Sequence, residues 1–472
     1  MTSSHSPRTG PTGVGLLALV AVSLFVAMLA VIPAACHRTN AALKTQSDRP
    51  NILIIMTDDQ SHDTLTAELM PRTKALIADA GVTFNRAYIS TPLCCPSRSS
   101  FLTGKYARHH GVHTNDDKLD GPTIANQLHQ AGYYTGLIGK YLNSWPGDAR
   151  SEFDYWTAWK SGDVDPVLNV FGETQQVSGY LTYILRDHAL DFLDRVPSDK
   201  PFFLVFAPHA PHRPATPAPE DENLYSDLPP WRPPNFNPES MTDKPSWLQS
   251  KARLTDEEVD SRVDKFRLKQ LRSLKAVDRS VDAILGKLTA EGKLDNTFIL
   301  FYSDNGYYWG EYRLVGKNRV YEEATRVPFA IRYSPLSQVP RIESHLVGVI
   351  DIAPTLCDLA GIPTPADMDG KSLLPLLAGG ATWRDAMLLE GWPTRGEEDG
   401  LSRKARLQDL GADHSAHFRA IRTDKYVYIE TEQDSRELYD TTADPYEMNN
   451  LIEDTSYLKV IRQLRKRLRR EF

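Results

Sequence analysis

Three groups of residues in this sequence have the types and spacing to do chemistry together. The first is Asp58-Asp59, with Ser303-Asp304-Asn305-Gly306 far along the chain. Asp58, Asp59, Asp304 and Asn305 offer only oxygen donors, with no histidine or cysteine among them. Such a set favours a hard cation, Ca²⁺ or Mg²⁺, over zinc. The second is Pro208-His209-Ala210-Pro211-His212. An imidazole titrates near neutrality, so a histidine here could move a proton at mild pH, or could simply hydrogen-bond backbone in a proline-rich turn. The third is Cys94-Cys95-Pro96-Ser97-Arg98. On a helix, Cys94 and Arg98 stand four residues apart and share a face.

These groups must be positioned by the elements that precede them. Asn51 to Met56, Thr297 to Tyr302, Phe202 to Phe206 and Tyr133 to Ile138 are nearly continuous apolar runs. Runs of this kind suit strands buried on both faces of a parallel sheet. Each ends in polar residues: Thr57-Asp58-Asp59-Gln60, Ser303-Asp304-Asn305, Pro208-His209 and Gly139-Lys140. In open α/β sheets, ligands bind at that C-terminal edge. Helices are expected over Met70 to Ala80 and over Thr255 to Leu288, the latter opened by a Thr255-x-x-Glu258 capping box. Pro214 to Trp247 is rich in Pro, Asp and Asn and reads as a long surface excursion of the kind that lids are built from. Beyond Met368 to Leu373 the organisation changes. Phe418 to Ile429 reads as strand, turn and strand, followed by Glu437-Leu438-Tyr439-Asp440.

Composition narrows the class. The chain has 472 residues, 41% hydrophobic and 24% charged, enough for a large domain and a smaller one. Its net charge of −7 gives no reason to expect nucleic-acid binding. The four cysteines, Cys36, Cys94, Cys95 and Cys357, suit neither a zinc site nor a disulfide framework. Val14 to Val31 is almost wholly apolar and leads into Ala34-Ala35-Cys36. Residues 1–36 are therefore expected to be a signal peptide, a lipoprotein signal with Cys36 as the lipidated residue, or an uncleaved membrane anchor. Residues 37–48 are expected to be a tether. Each alternative puts the catalytic part outside the cytoplasm.

The run Cys94-x-Pro96-x-Arg98, followed by Leu102-Thr103-Gly104-Lys105, resembles the signature of the sulfatases. The resemblance extends from about Arg49 to the C-terminus. It implies an alkaline-phosphatase-like α/β architecture, with a large, mostly parallel central sheet flanked by helices over 49–375. A small C-terminal antiparallel-sheet subdomain, with a terminal basic helix, would occupy 376–472. It also implies that a maturation enzyme oxidises Cys94 to formylglycine. A hydrated aldehyde carries two hydroxyls on one carbon. One attacks sulfur, and the second then expels sulfate, an exit that serine lacks.

The resemblance maps metal ligands onto Asp58, Asp59, Asp304 and Asn305, with an oxygen of modified Cys94 completing the protein's share; calcium is the family's usual ion. Arg98 would hold the aldehyde hydrate, Lys140 and Lys317 the sulfate, and His212 would protonate the departing alcohol. His209 and Asn143 are further candidates for substrate contact. Gly139-Lys140-Tyr141-Leu142-Asn143 and Ser303-Asp304-Asn305-Gly306-Tyr307 resemble the N-acetylglucosamine-6-sulfatase branch. The substrate implied is a sulfated sugar or glycan. Many sulfatases have a histidine two residues after the strand-ending lysine, and here Leu142 stands there. The base that restores the aldehyde is thus open, with His110 and His113 as candidates. Rival readings are a phosphonate or phosphate ester hydrolase of the same superfamily and a non-catalytic surface lipoprotein that binds sulfated glycans. The basic stretch Leu458 to Arg470 carries Ile461, Leu464 and Leu468 on one helical face. That face is expected to dock on the domain; a role in binding an anionic polymer or lipid headgroup is the alternative.

Overall fold

Apolar runs set the centre of the molecule. The computed structural model describes residues 49–472 apart from 338, 381, 394–416 and 432–434. The expected signal, anchor and tether therefore lie outside the described residues. Among the described residues, no helix is long and apolar enough to cross a membrane.

The strands are β1 (Asn51–Thr57), β2 (Val82–Phe84), β3 (Ala87–Tyr88), β4 (Tyr134–Gly139), β5 (Tyr155–Ser161), β6 (Val167–Val170), β7 (Glu173–Gln176), β8 (Phe202–Ala207) and β9 (Thr297–Ser303). They continue with β10 (Tyr308–Trp309), β11 (Val315–Gly316), β12 (Phe329–Arg332), β13 (Arg341–Glu343), β14 (Val347–Gly348), β15 (Ala386–Gly391), β16 (Phe418–Thr423), β17 (Tyr426–Thr431) and β18 (Arg436–Asp440). Six helices matter below: α1 (Cys94–Thr103), α2 (Ile124–Gln130), α3 (Leu181–Arg195), α4 (Lys265–Ala290), α5 (Ile352–Ala360) and α6 (Leu458–Glu471).

Ten strands form the main sheet in the order β13-β2-β12-β9-β1-β8-β4-β5-β6-β7. The four apolar runs are β9, β1, β8 and β4, side by side in its centre and mutually parallel. β5 extends the parallel part, and antiparallel pairs are confined to the margins. In register, Thr57 lies opposite Ser303 and Gly139 opposite Ala207. All four strands therefore end at one edge, with the residues beyond them about one strand spacing apart.

The two faces of β1 enter two different cores. Ile52, Ile54 and Met56 pack with Phe101 and Leu102 of α1, Ile124 and Leu128 of α2, and Leu356 of α5. Leu53 and Ile55 pack with Leu185 and Phe192 of α3 and Leu274 and Ile284 of α4. The helix expected from Thr255 begins as the capping box requires: Glu258 N donates to Thr255 Oγ1 at 3.2 Å and Thr255 N to Glu258 Oε2 at 2.9 Å. A widened turn over Val259–Asp264 separates that start from α4. The helix expected over Met70 to Ala80 is shorter, one turn at Pro71–Thr73 running into a widened turn at Lys74–Ala78.

β15 to β18 form a second, antiparallel sheet. The strand, turn and strand expected over Phe418 to Ile429 are β16 and β17. Ile461, Leu464 and Leu468 of α6 are buried in the first core, together with Ile421, Tyr428 and Leu438.

Candidate active site

The polar ends of β1 and β9 interlock. Asp304 N donates to Thr57 O at 3.0 Å, Asp59 N to Asp304 Oδ1 at 3.2 Å, and Gln60 N to Ser303 Oγ at 2.9 Å. Asp59 has φ 65°, a left-handed conformation that a non-glycine residue holds only where its surroundings demand it. Asn305 Nδ2 donates to Asp59 Oδ1 at 2.6 Å. Asn305 Oδ1 is buried and has no hydrogen-bond partner, a costly state unless something else binds it. Burial, and then the charge of Asp58, push the Asp304 carboxyl up to about 6. Burial opposes ionisation of Asp58 too, but Lys140, His212 and Arg98 hold it well below the usual range. Three crowded carboxyl groups and an unpartnered amide oxygen fit a hard cation.

Cys94 begins α1, and Pro96 falls in the first turn, where its missing N–H leaves no gap in the ladder. Lys317 Nζ lies 2.8 Å from Cys94 Sγ, Lys140 Nζ 3.3 Å, and Asp58 Oδ1 3.4 Å. Two ammonium groups and a helix N-terminus thus converge on one side chain, a setting that favours an anion. Burial, and then Asp58, nevertheless keep the thiol well above its usual pKa, so Cys94 is a neutral thiol. Lys140 Nζ also reaches Asp58 Oδ2 at 2.5 Å, and Lys317 Nζ reaches Asp59 Oδ1 at 2.5 Å.

Arg98 is 1% exposed. Its Nε donates to Asp304 Oδ2 at 2.8 Å, another guanidinium nitrogen lies 3.5 Å from Asp58 Oδ2, and a third donates to Lys140 O at 2.7 Å. One planar fork therefore ties α1 to the ends of three central strands.

His212 stands at the mouth, with its side chain 28% exposed and Nε2 3.7 Å from Asp59 Oδ2. Its Nδ1 lies 2.8 Å from Arg213 O. A carbonyl can only accept, so Nδ1 carries hydrogen and Nε2 faces the site. Asp58, Asp59, Cys94 and His212 each place a ligand atom within 4.8 Å of the others. The structure thus brings a histidine and a cysteine beside a donor set that reads as oxygen-only in sequence.

His209 sits behind this group. It is 2% exposed, stacks on Trp159 at 3.9 Å between ring centres, and lies 4.7 Å from the His212 ring. Its Nδ1 is 3.0 Å from Asp163 Oδ1, and Asp163 Oδ2 accepts from Thr216 N at 3.1 Å. Asp163 and Trp159 escape a reading of the sequence, since they belong to no motif and lie far from His209 along the chain. Asn143 is exposed on the loop after β4, and its backbone N donates to Cys95 Sγ at 3.0 Å.

The two candidate bases are not brought to Cys94. His110 Nε2 bonds Ser100 Oγ at 3.1 Å and its Nδ1 accepts from Val112 N at 3.1 Å. His113 stacks on Trp392 at 4.1 Å. Both lie near the motif in sequence, but their rings are engaged elsewhere.

The chain is similar to known proteins over most of its length. The family model described as Sulfatase matches residues 50–362. That described as N-sulphoglucosamine sulphohydrolase, C-terminal, matches residues 408–471. An extracellular sulfatase SULF-1 homologue from Drosophila melanogaster is 34% identical over 392 residues, 76% of this chain but 35% of that protein. The chain thus spans about a third of that relative's length. An N-acetylglucosamine-6-sulfatase from Capra hircus is 31% identical over 456 residues, 86% of this chain and 80% of that protein. A structure solved in complex with its substrate, D-glucosamine-2-N,6-O-disulfate, superposes with a TM-score of 0.78 at 27% identity, covering 90% of this chain and 97% of that one. The chain belongs to the sulfatase family.

Proposed function

We propose that this protein hydrolyses sulfate monoesters of sugars outside the cytoplasm, with the 6-sulfate of N-acetylglucosamine or a related glucosamine as its substrate. The observation that carries this reading is the convergence of Lys140, Lys317 and Asp58 on the buried Cys94 at the start of α1. The sugar is supported by the N-acetylglucosamine-6-sulfatase relatives and by the glucosamine disulfate bound in the related structure.

Asp58, Asp59, Asp304 and Asn305 would hold the cation, Ca²⁺ or Mg²⁺, which would offset charge on the sulfuryl oxygens. As formylglycine, position 94 would supply the attacking hydroxyl and a second hydroxyl on the same carbon to release sulfate. Lys140 and Lys317 hold the sulfate oxygens, since both ammonium groups already face position 94. Arg98 orients position 94 by fixing α1 against Asp304 and Lys140 O. His212 gives a proton to the departing alcohol. Its Nδ1–H is committed to Arg213 O, so any proton transferred passes through Nε2. Burial lowers this imidazole to about 3, so Nε2 rests unprotonated and takes up a proton only as the anionic sulfate ester adds negative charge beside it.

The test is a rate comparison with matured protein. Aryl sulfate should be preferred over aryl phosphate, and N-acetylglucosamine-6-sulfate over galactose-4-sulfate. Asp304→Ala should lose both activity and bound Ca²⁺ or Mg²⁺ by elemental analysis. Full activity with stoichiometric zinc would refute the metal assignment. Export and attachment through the N-terminus are supported by the apolar run Val14 to Val31 and by Cys36. With lipidation, Cys36→Ala should release the protein from the membrane fraction; retention would indicate an uncleaved anchor.

A further inference from the structure

We propose that a groove between α6 and the C-terminal sheet binds a sulfated glycan chain, through residues that play no part in the catalytic cluster. This rests on the sulfatase reading for the choice of ligand, but not for the existence of the groove.

The groove follows from the register of three strands. Arg419 of β16 lies opposite Glu430 of β17, and Glu430 opposite Arg436 of β18. Side chains alternate along a strand, so these three share a face with Ile421, Tyr428 and Leu438. The apolar part of that face is covered by Ile461, Leu464 and Leu468 of α6. Among the described residues the charged part is left uncovered. There the sheet and helix enclose a pocket of about 430 Å³, lined by Arg419, Glu430, Arg436, Arg465 and Arg469 among others.

Among the described residues, four guanidinium groups thus share a concavity with one carboxylate. Glu430 takes Arg419 at 3.0 Å and Arg465 at 3.4 Å, and also accepts from Tyr428 Oη at 2.9 Å. Arg436 and Arg469 have no acidic partner among the described residues. Arg467, by contrast, faces away and pairs with Asp385 and Glu471. Among the described residues this surplus of positive charge is local, since the whole chain carries −7. Guanidinium groups offer paired donors that match the oxygens of sulfate and carboxylate.

A glycan fits better than a lipid surface. The pocket is concave, with charges on facing walls, which suits discrete sulfates on a narrow chain. A membrane-seeking helix needs an exposed apolar face, and on α6 that face is already buried in the protein.

The test uses the full-length protein and the double variant Arg436→Ala/Arg469→Ala, with a sulfated heparan-type hexasaccharide and its desulfated counterpart as probes. The wild type should bind the sulfated probe, and less tightly as salt rises. The double variant should bind it roughly tenfold more weakly, as expected for the loss of two charged contacts. KM for the hexasaccharide should rise with it, while kcat and KM on monosaccharide sulfate and the melting temperature stay put. Equal affinity of wild type and variant would overturn the proposal. So would a loss confined to phosphatidylglycerol vesicles with hexasaccharide binding intact. Failure of the sulfatase reading is seen separately, as absent turnover of every sulfate ester while the binding difference persists.

Discussion

Replacing Arg98 with alanine should make the stability of this protein depend on divalent cation. Arg98 lies 2.8 Å from Asp304 and 3.5 Å from Asp58, and neither carboxylate is exposed. At an effective dielectric of about 20, unit charges at such distances attract by about 5 kcal/mol. Much of this is offset by desolvation, so the cost of deleting one partner of such a buried group is about 3–5 kcal/mol. The bond to Lys140 O is lost as well. For a chain of 472 residues the unfolding entropy is about 1 kcal/mol per kelvin, so melting should fall by about 3–5 °C. A dication bound by the same carboxylates takes over part of the missing charge and stabilises only the folded state. Melting curves of wild type and Arg98→Ala should therefore differ by several degrees in chelator, and by less in millimolar calcium. Arg98→Lys keeps the charge but not the fork, and should fall between them. The reasoning fails if wild type and Arg98→Ala melt together in chelator, or if calcium leaves the gap unchanged.

Cys95→Ala should fold and retain turnover within about twofold, because the Cys95 thiol accepts from Asn143 N and packs in the core rather than facing the lysines. The loss of its two weak sulfur hydrogen bonds, from Asn143 N and to Asn115 O, and of a small volume should cost about 1–2 kcal/mol in urea unfolding. Asp163→Asn removes the carboxylate that anchors His209 beneath His212. It should lower kcat about tenfold and alter the kcat–pH profile with KM little changed; an unaltered profile would limit Asp163 to a structural role. Leu468→Ala, at a fully buried position under the C-terminal sheet, should cost about 2–4 kcal/mol of stability by the same unfolding measurement.

The central sheet was legible because β1, β4, β8 and β9 are short runs apolar on both faces, bounded by polar ends, the pattern that suits strands buried in a parallel sheet. The polar residues ending those strands were legible for the same reason. The Thr255–Glu258 cap was also readable, since capping is local. The margin was not: β7 is Glu173–Gln176, exposed throughout, and carries no hydrophobic alternation. The pairing of Asp163 with His209 was hidden because a long-range contact between single polar residues leaves no periodic trace. His110 and His113 mislead in the opposite sense, since closeness along the chain gave no closeness to Cys94. The basic face of α6 was visible in sequence, but its concavity needed the register of β16, β17 and β18.

Position 94 is the centre of the account. Cys94 and Cys95 are adjacent, both buried, and both raised in pKa, with burial the first cause in each case. Intrinsic thiol chemistry does not separate them. Geometry does, because only Cys94 meets Lys140, Lys317 and Asp58. Peptide mass spectrometry of protein made with a competent maturation system, read beside turnover of Cys94→Ala, is the most direct test. The account predicts formylglycine at position 94 alone, and a Cys94→Ala protein that folds but does not turn over sulfate ester. Formylglycine at position 95, or an active Cys94→Ala protein, would contradict it.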